Sequence, residues 1–77
     1  MKAFTVIELD EWALLFDGRK LVVEDHSIEL DQLEHQAKGE CFTLEVISGY
    51  DTDLDDHVTE NGRANDIDLA KAKEMLK

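Results

Sequence analysis

Asp51, Asp53 and Asp55 stand at alternate positions, the spacing at which a calcium loop presents its first three carboxylates. Val58 also falls at the eighth place of such a loop, where a hydrophobic residue belongs. The pattern then fails. The sixth place needs Gly for a sharp turn and holds Asp56, and the twelfth needs a bidentate Glu and holds Gly62. A weak calcium-binding domain is therefore an outside expectation, and a solvated acidic loop over 51–62 is the main one.

The same stretch suggests a different use. Asp51, Asp53, Asp55, Asp56 and Glu60 follow one another with no Lys or Arg between them, so the segment concentrates negative charge. Surface carboxylates can stand in for phosphates in a cationic groove, and the field that steers nucleic acid would then steer this chain. These five residues are the expected partner-binding set, with a basic protein surface as the partner. A nucleic-acid-binding protein inhibited by charge mimicry is the sharpest form of that expectation. Trp12, the single tryptophan, joins the set as an apolar contact if its surroundings leave it open.

Other reactive side chains do not assemble into a site. His26, His35 and His57 lie on three different segments, and none has a second His or Cys at a helical i, i+4 position; His35 has only Asp31 four residues before it and Gly39 four after, too little to close a metal site. Cys41 stands beside Glu40, and the sequence specifies neither the third orienting group nor the oxyanion site that a Cys–His hydrolytic pair needs. The four glycines are isolated, so no phosphate-cradling loop exists. The expectation is a non-enzymatic chain with no catalytic residue, metal or cofactor.

Charge narrows the partner class. Nineteen acidic side chains face eight basic ones, a net of −11. Residues 1–50 hold 11 acids and 4 bases and residues 51–77 hold 8 and 4, so the excess is distributed and is not a tail. Such a field repels anionic membranes and direct nucleic-acid contact, and attracts cationic protein surfaces. One cysteine excludes an internal disulfide, and a small domain without such staples points to the cytoplasm. The N-terminal residues run as an alternating strand into Glu8 and Asp10, unlike a secretory signal. Seventy-seven residues make one domain, 1–77.

The elements that position these residues are read from periodicity. Ala3 to Leu9 alternates as a strand with apolar side chains on both faces, which implies an inner position or cover on both sides. Trp12 to Val23 reads as a hairpin turning at Asp17-Gly18, with Leu14 opposite Leu21 and Trp12 opposite Val23. A rival reading makes residues 10–17 a short helix capped by Asp10 and closed by Gly18. Asp31 and Glu34 form a capping box for a short helix ending near Gly39. Glu40 to Tyr50 is a further strand, 51–62 a polar connector, and a last helix starts at Asn65 or Asp66 and runs to Lys77. The expected fold class is α+β: a mainly antiparallel four-stranded sheet in the order β-β-β-α-β-α, with two short helices on one face. That layout leaves a structural or oligomeric role open, with a homodimer forming through the hydrophobic hairpin face or a strand edge.

Overall fold

The computed structural model describes residues 2–64 and 67–76. Its chain order is β1 (Lys2–Leu9), β2 (Trp12–Asp17), β3 (Lys20–Asp25), α1 (Leu30–Ala37), β4 (Phe42–Ser48), α2 (Asp53–Asn61) and α3 (Leu69–Glu74). The fold is α+β with one mixed four-stranded sheet in the order β3-β2-β1-β4. β1 pairs antiparallel with β2, and β2 with β3, whereas β4 lies parallel to β1. A parallel neighbour requires a crossover, and α1 supplies it. The rival helix over 10–17 is not formed, because β2 is hydrogen-bonded on both edges.

Three features depart from the expected layout. Among the described residues the helices number three where two were expected, they cover both sheet faces where one was expected, and the sheet is mixed where a mainly antiparallel one was expected. The period-2 pattern of β1 explains the two-sided cover. Phe4 and Val6 pack with Leu15, Leu33 and Ala37 under α1. Ile7 and Leu9 pack with Leu14, Phe16, Leu54, Val58, Ala64 and Ala72 under α2 and α3. A strand apolar on both sides needs both layers, and both are present.

The hairpin turns one residue later than Asp17-Gly18. Asp17 pairs with Lys20, so Gly18 and Arg19 form the two-residue loop. Gly18 has φ 61° at the first loop position, which a type II′ turn reserves for Gly. Phe16 then opposes Leu21. Between Leu15 and Phe16 the register shifts, and Leu15 opposes Val23. Val22 is the extra residue of this bulge. It turns Val23 toward α1 and sets Glu24 opposite Leu14, so a carboxylate enters the face that the expected register kept apolar. Glu24 is satisfied there: its Oε1 accepts from Trp12 Nε1 at 3.0 Å and from the Ala64 amide at 2.7 Å.

The helix termini differ locally. α1 is capped by Glu29, whose amide donates to Gln32 Oε1 at 2.6 Å, so the capping pair sits two residues before Asp31 and Glu34. The last helix is shorter than expected at both ends: Asn65, Asp66 and Lys77 lie outside the described residues, but Ile67 and Asp68 precede the helix and Met75 and Leu76 follow it. α3 begins after Asp68, whose carboxylate accepts from the Lys71 amide at 2.8 Å.

Candidate functional site

The stretch expected as an acidic loop is a helix. Thr52 is the N-cap of α2 and its hydroxyl accepts from the Asp55 amide. Leu54 and Val58, four apart, bury the apolar face, and Gly62 closes the C-terminus at φ 77°. Acids in the first turn oppose the positive end of the helix dipole, which favours this conformation. Asp51, Asp53 and Asp55 therefore do not wrap a central point as calcium ligands would. Among the described residues no group of three or more His, Cys, Asp or Glu side chains gathers as a metal-holding set.

The five acids separate into two kinds. Asp51, Asp53, Asp56 and Glu60 are exposed. Asp55 is only 6% exposed, and its two oxygens accept from the backbone amides of Asp10 (3.3 Å) and Asp51 (3.1 Å). It fastens α2 to the β1–β2 turn and is withdrawn from any docking surface. The helix start was legible in Thr52-x-x-Asp55, where the acid stands at the third helical position with Leu54 and Val58 at helical spacing around it, but the burial of Asp55 depends on Asp10, 45 residues away.

Strand direction collects further acids beside these. The C-terminal ends of β1, β3 and β4 and the N-terminal end of β2 share one end of the sheet, as the pairs Leu9–Trp12, Ala13–Asp25 and Glu8–Ser48 show. Chain segments 8–12, 24–31 and 48–62 meet there, and none contains a Lys or Arg. Glu8, Asp10, Glu11, Asp25, Asp51 and Asp53 all lie exposed at this end. Lys2, Arg19 and Lys20 belong to the opposite end, where Phe4 pairs with Asp17 and Asp17 with Lys20, and Lys38 leads into β4 from that side. Lys71 and Lys73 lie on α3, and Arg63 follows α2 between Gly62, at the rim of the Trp12 pocket, and Ala64, so it is the one base near the acidic end among the described residues. The sheet thus has an acidic end and a base-bearing end, although the acid excess is spread along the chain.

Trp12 is half-buried at the acidic end. Its indole bonds to Glu24, and the His26 ring stands edge-on to it with centroids 5.2 Å apart. Asp10, Glu11, Trp12, His26, Val58 and Thr59 line a pocket of about 230 Å³. The rest of the hairpin face is closed, since Leu14 and Phe16 are fully buried under α2 and α3. An aromatic wall with acids on its rim can receive a guanidinium or ammonium group.

The remaining reactive groups stay apart. Cys41 is an exposed free thiol just before the start of β4, whereas His57 rides on α2, which follows the far end of that strand. His35 lies on α1 across the sheet. No helix is long and apolar enough to cross a membrane among the described residues. No protein family matches the chain, and no curated protein or solved structure does either.

Proposed function

We propose that this chain is a small non-enzymatic binding module of the cytoplasm that docks its acidic end on a basic surface of another protein. The observation that carries the reading is the meeting of three base-free segments, 8–12, 24–31 and 48–62, at one end of the sheet. Asp10, Glu11, Asp51, Asp53, Asp56 and Glu60 supply the field. The Trp12 pocket supplies a place for one anchoring Arg or Lys, the kind of buried central contact on which interfaces depend. Where the partner's basic surface is a nucleic-acid channel, docking excludes the nucleic acid and the module acts as an inhibitor by charge mimicry.

The test separates the location of charge from its amount. Asp51, Asp53 and Asp56 are changed together to Asn in one variant, and Glu34, Glu40 and Glu74 together to Gln in another. Both lose three charges. Affinity capture followed by titration against the isolated partner should show weakened binding for the first variant and near-native binding for the second, with native affinity falling as salt rises. Equal losses in the two variants would show that the acidic end has no special part. Added duplex DNA that competes for the same partner would support the inhibitory form.

A further inference from the structure

We propose that β4 is a dimer interface, two copies of this chain pairing antiparallel along that strand and extending the sheet to eight strands. The strand carries none of the acids assigned to docking, although its exit through Asp51 and Asp53 borders the acidic end, and the pairing does not rest on the docking reading.

The two edges of the sheet are unlike. β3, at one edge, carries Lys20, Glu24 and Asp25 among its six residues, the charged pattern that discourages strand addition. β4, at the other, has a neighbour on one side only among the described residues. Its seven residues include one charge, Glu45, and Lys73 of the same chain approaches that carboxylate at 3.9 Å. On its α1 side Leu44 is 44% and Val46 56% exposed, with Phe42 half-covered beside them. An unguarded edge bearing a row of exposed apolar side chains is the arrangement that invites another strand.

The symmetry of the strand's apolar row, Phe42 and Val46 on either side of Leu44, identifies the occupant as a second copy, and charge sets the direction. The chain leaves β4 at the acidic end, through Tyr50, Asp51 and Asp53, and arrives at it through Lys38 and Glu40, whose opposite charges offset each other. Antiparallel pairing about a two-fold axis lays each copy's acidic exit along the other's neutral entry, Lys38 to Cys41. A parallel pairing would set the two acidic ends side by side and is disfavoured. The register follows from the single charge on the strand. Centring the axis on Glu45 would oppose two like carboxylates, which destabilises a cross-strand pair. Centring it on Leu44 places Leu44 against its own copy, Val46 against Phe42 and Glu45 against Thr43, so the exposed apolar row is covered and no like charges meet.

Sedimentation equilibrium in about 0.15 M salt, where charges beyond ~8 Å are screened, tests the state directly. Between about 10 µM and about 500 µM, a range that brackets weak self-association, the mass should rise toward twice the 8.8 kDa of the chain. Val46→Lys should hold the monomer mass throughout while leaving the near-UV circular dichroism of dilute protein unchanged. In a Cys41→Ser background, Leu44→Cys should oxidise to a disulfide-linked dimer, and Lys20→Cys on the opposite edge should not. A native chain that stays monomeric, a Val46→Lys variant that still dimerises, or equal cross-linking from the two cysteines would each overturn the proposal.

Discussion

The carboxylate of Asp55 accepts the backbone amide of Asp10 at 3.3 Å, tying the first turn of α2 to the β1–β2 turn across 45 positions of chain. Its second oxygen accepts the amide of Asp51, which has φ 59° in the left-handed region. One buried side chain thus fixes two turns that carry the exposed acids of the same end.

Replacing Asp55 by Ala leaves both amides without this acceptor and should cost about 1–3 kcal/mol of unfolding free energy. Asp55→Asn keeps one carbonyl oxygen and should fall between Ala and the native chain. Asp56→Ala, at an exposed neighbouring position, should stay within about 0.5 kcal/mol. Urea unfolding with a common m-value checks the order, and an Asp56 loss equal to that of Asp55 would mean that burial is not what separates them.

Glu24 bridges Trp12 Nε1 and the Ala64 amide. Glu24→Ala should remove the acceptor from both donors at a cost of about 1–3 kcal/mol. The tryptophan emission should shift to longer wavelength as water reaches the indole. Unchanged emission would show that the bridge is not maintained in solution.

Gly49 is a steric case and Gly18 a conformational one. A Cβ at Gly49 would lie 2.8 Å from Leu9 Cδ2, 3.0 Å from Leu76 Cδ2 and 3.1 Å from Ile7 Cγ2. Gly49→Ala should therefore lose about 1–3 kcal/mol through overpacking where β4 meets the core. Gly18 has open space around it but φ 61°, so Gly18→Ala should lose about 1–2 kcal/mol through the backbone alone. Restoring space with Leu76→Ala should recover part of the loss in the Gly49 variant and none in the Gly18 variant, as a double-mutant cycle would measure.

The net charge of −11 leaves most acids without a cation. Among the described residues four ion pairs form, and three of them join side chains at least half exposed, where pairs contribute little. Self-repulsion should therefore dominate at low ionic strength, and the melting temperature should rise between about 0.01 M and about 0.2 M sodium chloride as screening shortens. A melting temperature that falls over this range would show that the acids are favourably paired.

Local pattern was sufficient wherever it was also the final arbiter. The alternation of Phe4, Thr5, Val6 and Ile7 identified β1 as an inner strand because a strand with two apolar faces has to be covered twice. Trp12, Leu14 and Phe16 identified β2 for a similar reason. The α+β class, the four strands and the acid excess that motivates the docking reading were likewise legible in residue types alone. The second helix was legible too, in Thr52, Leu54, Val58 and Gly62, but the run of aspartates masked its helical spacing.

Long-range contact decided the rest. Nothing near Asp55 in the chain marks it as the acid buried among the described residues, because its donors include Asp10 on a turn 45 residues away. The bulge at Val22 could not be read from the hairpin itself, since Glu24 is tolerable on the apolar face only when Trp12 and Ala64 donate to it. The parallel placement of β4 is of the same kind. Periodicity reports which faces are apolar and not the direction in which a strand runs, and that direction puts segments 8–12, 24–31 and 48–62 at one end. Composition determined that the protein is acidic; strand direction determined where that charge is gathered.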